Sequence, residues 1–152
     1  MDEKVLDSGR LNEKKLIELA HKARKQAYTP YSHFQVGAAL VTKQGKVYPG
    51  CNIENASYTP SNCAERTAFF KAVSEGEREF AAIAVVGGPE GTEGKETCSP
   101  CGVCRQVMRE FCAPEEFRIL LEDGKGGILN YSLAELLPLG FGPENLGREK
   151  EE

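Results

Sequence analysis

Residues 81 to 88 read AAIAVVGG, eight positions without a polar side chain. A strand that alternates apolar and polar residues can leave one face in water, but this run needs cover on both faces. Its neighbours offer that cover. NCAERTAFFKAVSEG, just before it, reads as a helix, with Asn62 placed to cap, Glu65 three residues later as in a capping box, and Gly76 at its end. Beyond the run, the polar, glycine-rich stretch GPEGTEGKET leads to Ser99-Pro100, an N-cap with proline at the first helical position, and a further helix through about Phe111. Upstream, Leu16, Ile17, Leu19, Ala20, Ala23 and Ala27 recur at helical spacing between Asn12 and about Tyr28. QVGAALVT and KVYPGCNI flank Lys43-Gln44-Gly45 as a hairpin, FRILLED and GGILNYS form two more strands around Asp123-Gly124, and SLAELLP is a short last helix. The order α-β-β-α-β-α-β-β-α predicts an α/β fold, a three-layer sandwich with helices covering a mixed five-stranded sheet. The 152 residues contain no repeat and no linker, so a single domain over 1–152 is expected, polar and frayed at about 1–10 and 147–152.

Charge and hydropathy narrow the partners. The chain is acidic, with 19 Lys+Arg against 23 Asp+Glu, and no concentrated basic face is visible, which argues against a nucleic acid polymer. No apolar run approaches the length of a membrane span, so no membrane partner is expected. MDEKVLDSGR lacks the basic then apolar pattern of a secretory signal, and a cytoplasmic location is expected. In a reducing compartment, six cysteines point to metal binding or catalysis in preference to disulfides.

Three of those cysteines stand at helix starts. Cys101 and Cys104, three apart, fall on one face of the helix that follows Ser99, and Cys63 opens the preceding helix. Free amides and the positive dipole end favour thiolate there. In a layered α/β fold, helices that follow strands can bring their N-terminal ends to one edge of the sheet, so three thiolates can meet. Sulfur ligands favour zinc, and three protein ligands leave a fourth position open, as in catalytic sites. Glu65, two residues after Cys63, can face such a metal without binding it and move protons. Other arrangements remain open at this level. Cys98 and Cys101 also form a Cys-x-x-Cys pair suited to thiol redox chemistry, and Cys98 or Cys51 can close a four-cysteine structural zinc site. An iron–sulfur run would want a further cysteine where Met108 stands. Cys51 and Cys112 read as small buried side chains.

Cys63-Ala64-Glu65 followed by Pro100-Cys101-Gly102-Val103-Cys104 resembles the zinc-dependent nucleoside and nucleobase deaminases, in the three-cysteine branch of small homotetrameric cytidine deaminases. PYSHFQVGAAL, GCNIENASY, CAERTA, SPCGVCRQVMREF and ELLPLGFGPENL look like that family in the same order, over roughly residues 11 to 147. The resemblance implies Zn²⁺ held by Cys63, Cys101 and Cys104 without Cys98, and Glu65 as the acid/base of a hydrolytic deamination of cytidine and deoxycytidine to uridine and deoxyuridine, a pyrimidine salvage step that releases ammonia. Three thiolates outweigh the two charges of zinc, and Arg66 resembles the arginine that offsets this by hydrogen-bonding the sulfurs. By the same resemblance, Asn52 and Glu54 meet the ribose hydroxyl, Phe34 lines the pyrimidine pocket, and the backbone around Ala64 and Cys101 holds polar groups of the base. Tyr58 and Phe141 look like residues that reach a neighbouring subunit's site in a homotetramer, and Gln106 is expected to support the site without reacting.

Competing readings are a binding module with structural zinc, a polynucleotide-editing deaminase, which the acidic composition disfavours, and a deaminase of nucleoside-like antibiotics, which the intact CNIEN disfavours. The glycine- and charge-rich stretch from Gly87 to Glu96 looks longer than the family commonly has, suggests no function, and is expected to be surface-disordered.

Overall fold

The computed structural model describes residues 4–148. In chain order the elements are β1 (Leu6–Asp7), β2 (Arg10–Leu11), α1 (Glu13–Arg24), β3 (Phe34–Thr42), β4 (Val47–Cys51), α2 (Ala64–Ser74), β5 (Phe80–Pro89), α3 (Gly102–Phe111), β6 (Arg118–Glu122), β7 (Ile128–Ser132), α4 (Leu133–Leu136) and a 3-10 turn at Pro143–Leu146. The main sheet runs β4-β3-β5-β6-β7, with β5 and β6 parallel and the other neighbours antiparallel. It is the mixed five-stranded sheet of the sequence reading.

β5 is central, and its side chains alternate between two cores. Ile83 and Val85 join Ala38 and Leu40 of β3 against α2, α3 and α4, where Phe69 and Phe117 are fully buried. Ala82, Ala84 and Val86 join Ala39 and Val41 against Leu16, Ile17 and Ala20 of α1. Burial on both faces is why this strand carries no polar residue between Ala81 and Gly88. Two glycines let the helices lie close to the sheet. A Cβ on Gly37 would overlap the Ala20 carbonyl of α1, and one on Gly50 would overlap the Ala64 carbonyl and lie 2.6 Å from the Ala68 nitrogen of α2.

Several boundaries differ from the sequence reading, each for a local reason. α1 stops at Arg24, and Tyr28 turns back to pair with the segment around Ile53. α2 begins on Cys63 without a side-chain cap. Asn62 instead pairs its backbone with Ile53 and reaches Thr67, and there is no capping box through Glu65. α3 likewise begins on Cys101, two residues later than Ser99, whose hydroxyl accepts from Arg105. At the N-terminus, residues 6–11 are not frayed: β1 and β2 pair, and Val5 is buried in the α1 core. The outermost residues of the two polar ends, 1–3 and 149–152, lie outside the described residues. The 87–96 stretch is also ordered, with Gly87 bridged to Glu96 and Gly94 buried. No helix among the described residues is long and apolar enough to cross a membrane.

Candidate metal centre and active site

Because α2 and α3 both start on a cysteine in extended conformation, the two residues project from the ends where backbone amides have no partner in the helix. α2 and α3 pack on the same face of the sheet, and this brings the starts together. The Cys63 and Cys101 Sγ atoms lie 3.9 Å apart, those of Cys101 and Cys104 3.5 Å apart, and all three fall within 4.8 Å of one another. A tetrahedral zinc at about 2.3 Å from each sulfur would hold them about 3.8 Å apart, so the donor set fits that ion. Cys104 is buried and Cys101 exposed, which leaves the cluster open on one side. Among the described residues, Cys98 and Cys51 are not part of it.

The surroundings favour charge on sulfur. A hydrogen bond from Cys104 is the main cause that brings the Cys63 thiol down to about 5, with further help from Arg66, whose Nη2 lies 3.3 Å from the Cys63 Sγ. Cys104 is pushed up because it shares its proton with Cys63. Burial works against the charge of Arg66, yet the hydrogen bonds to the thiols hold its pKa above the ordinary value. Its Nε is buried without a partner. Beside the sulfurs, Glu65 is 4% exposed, and burial pushes its carboxyl up to about 7. It therefore sits where a carboxyl can both release and accept a proton near neutral pH.

The other residues singled out from the sequence lie at the starts of α2 and β3, in the segment that follows β4, along α3 and near the C-terminus. Ala64 is fully buried in the first turn of α2. The Asn52 side chain continues the β3 ladder, donating to the Phe34 carbonyl at 2.9 Å and accepting from the Val36 amide at 2.9 Å, which leaves one amide hydrogen and one lone pair for another partner. Glu54 accepts from the amides of Tyr31 and Ser32 at 3.1 and 3.0 Å, and hydrogen bonding from Ser32 holds its carboxyl below the usual range. It lines a cleft of about 320 Å³ with Tyr31, Ser32, Tyr58 and Ser61. Tyr58 stands at a positive φ of 60°, 75% exposed, edge-on to Tyr31. Phe141 is also exposed, and its carbonyl accepts from Gln106 at 2.9 Å, so Gln106 holds the C-terminal segment.

Sequence reasoning passed over Arg105. Its guanidinium donates to the Pro100 carbonyl at 2.7 Å, to Ser99 Oγ at 2.6 Å and to the Leu136 carbonyl, bracing the Cys101 segment against the end of α4. Its position next to Cys104 was the available signal. His21 and Glu122 form a pair, as do Arg109 and Glu144, the latter tying the 3-10 turn to α3.

Three convergent sulfurs with an open side, and a carboxyl buried beside them, are the donor set and companion group that a zinc-dependent hydrolytic centre needs. Residues 11–119 match the family described as cytidine and deoxycytidylate deaminase zinc-binding region. Cytidine deaminase from Sporosarcina psychrophila is 52% identical over 138 residues, 91% of this chain and 97% of that protein. Blasticidin-S deaminase from Bacillus cereus is 33% identical over 129 residues, covering 83% of this chain and 89% of that protein. The crystal structure of cytidine deaminase from Burkholderia pseudomallei superposes with a TM-score of 0.77 at 51% identity, covering 86% of this chain and all of that one. The chain belongs to the cytidine and deoxycytidylate deaminase family, whose members use zinc.

Proposed function

We propose that this chain hydrolytically deaminates cytidine and deoxycytidine to uridine and deoxyuridine in pyrimidine salvage. The observation that carries this reading is the Glu65 carboxyl buried beside three sulfurs whose spacing fits a zinc ion. When bound, zinc supplies Lewis acidity and makes water a nucleophile at neutral pH. Glu65 takes the first proton of the attacking water and delivers it to N3 of the pyrimidine, then takes the proton left on the C4 hydroxyl and passes it to the departing amine. A C4–N bond is exchanged for C4=O, and ammonia leaves. Arg66 neutralises part of the thiolate charge. Phe34, held by Asn52, lines the base pocket, the backbone around Ala64 and Cys101 holds the base's polar atoms, and Glu54, with Asn52, faces the sugar hydroxyl.

The same reading makes the protein a homotetramer whose sites are completed by Tyr58 and Phe141 of neighbouring subunits. Leu139, Phe141 and Leu146, close in sequence near the C-terminus, are each exposed, and such apolar side chains are suited to burial against a second copy. Six free cysteines suit a reducing, cytoplasmic setting.

A substrate panel tests this. Ammonia release should be rapid with cytidine and deoxycytidine, and at least about a hundredfold weaker in kcat/KM with blasticidin S or single-stranded DNA, because a site built for sugar hydroxyls leaves its polar groups unpaired otherwise. Sedimentation of the same sample should give the mass of four chains. Preference for blasticidin S would reassign the substrate, and a monomer that is fully active would remove the neighbouring subunits from the site.

A further inference from the structure

The stretch from Gly87 to Glu96 is held in place by one side chain. Arg24, the last residue of α1, is only 7% exposed. Its Nε donates to the Gln35 carbonyl at 2.9 Å, its Nη1 to the Thr92 carbonyl at 3.0 Å, and its Nη2 to the carbonyls of Gly88 and Pro89 at 2.9 Å each. A buried guanidinium is costly unless its donors are satisfied, and here backbone carbonyls satisfy them; the planar fork dictates where those carbonyls stand. The chain closes over the cation at Gly94. With φ at +68° and a would-be Cβ 2.6 Å from Arg24 Nε, only glycine fits there. The Glu90 amide adds a bond to the His33 carbonyl at 2.7 Å, and Phe34 pairs with Pro89 across β3 and β5.

This stretch lies against Phe34 and against Cys98, which is close enough to Glu65 and Cys63 to feel their charge. At Gly87, a Cβ would come within 2.8 Å of Cys98 Sγ and 3.2 Å of Phe34 Cε1, so ring and thiol meet over a residue that must lack a side chain. From Cys98 the chain runs through Ser99 and Pro100 directly to Cys101. The arginine's four carbonyls thus belong to two neighbouring segments: Gln35 follows Phe34 in β3, and Gly88, Pro89 and Thr92 stand between Gly87 and Cys98.

We propose that Arg24 is a positioning residue for nucleoside binding, tying Gln35 to Gly88, Pro89 and Thr92 so that the Phe34 ring and the 87–98 segment form one fixed wall of the pyrimidine pocket. It acts through Phe34 and not on the reacting atoms. The inference rests on the assignment of Phe34 to that pocket, and Phe34→Ala is therefore measured alongside.

In Arg24→Met, which has similar reach but no donors, KM for cytidine should rise roughly ten- to a hundredfold, the scale on which misplacement of a binding wall acts. kcat should stay within about threefold, since the acid/base group is untouched. Zinc per chain should be unchanged, and amide exchange should accelerate in 88–98 but not in α2. If Arg24→Met does not fold, Gly94→Ala disturbs the same clamp from the loop side and should raise KM in the same way. Lower thermal stability with an unchanged KM in the folding variant would leave Arg24 a purely structural role and overturn the proposal. So would a Phe34→Ala protein with wild-type KM, which would remove the route through that ring while leaving the deaminase activity itself in place.

Discussion

Glu65 is under two opposing demands. Its place on the first turn of α2 puts it among partnerless amides that favour a carboxylate, while near-complete burial and the neighbouring Cys63 charge favour the neutral acid. Burial wins, and the carboxyl rises from an ordinary 4.5 to about 7. A group bound more tightly to its proton in the folded state stabilises the fold while protonated. That contribution is fully present below about pH 4.5 and is lost as pH rises through 7. Glutamine at this position stays neutral throughout. In chelator, wild type should therefore lose stability relative to Glu65→Gln between pH 5 and 8, by on the order of 2–3 kcal/mol, seen as diverging urea midpoints. Parallel curves would mean that the carboxyl ionises as if in water.

Among the elements, α2 decides the geometry of the centre, since it carries Cys63 at its cap and Glu65 and Arg66 in its first turn. Its distance from the sheet is set at Gly50, where only a hydrogen fits under the Ala64 carbonyl and the Ala68 amide. Those neighbours are backbone atoms, so no rotamer change can make room. Gly50→Ala should shift α2 bodily, destabilise the chain by about 1–3 kcal/mol, and weaken zinc retention against a competing chelator. Unchanged retention would show that α2 keeps its position without this contact. α3 is placed differently: Arg105 ties its start to the end of α4, so the two halves of the sulfur cluster are located by separate contacts.

Across the whole molecule, what could be read in advance followed from patterns that repeat. The unbroken apolar run of β5 announced a strand covered on both faces, and the order of helices and strands around it gave the layers. The pairing of Cys63-Ala64-Glu65 with Cys101 and Cys104 was legible because the chemistry needs those residue types together. Helix starts were not. Capping preferences rank side-chain oxygens, so Asn62 and Ser99 looked right, whereas both helices start on cysteine. The β1–β2 ladder was missed because two-residue strands carry no period. The 87–96 stretch read as disorder from its glycines and charges, and nothing local reveals that Arg24, more than sixty residues away in sequence, holds it by its carbonyls. The claim on which all of this converges is that three cysteines hold a zinc ion at which Glu65 moves the protons. The decisive measurement is the loss of ultraviolet absorbance on mixing the protein with cytidine, for wild type and Glu65→Ala, with zinc quantified on both. Turnover by the wild type and none by a zinc-loaded variant is the expected result; a zinc-loaded wild type inert on cytidine and deoxycytidine, or a Glu65→Ala variant that still turns over at the wild-type rate, would contradict it.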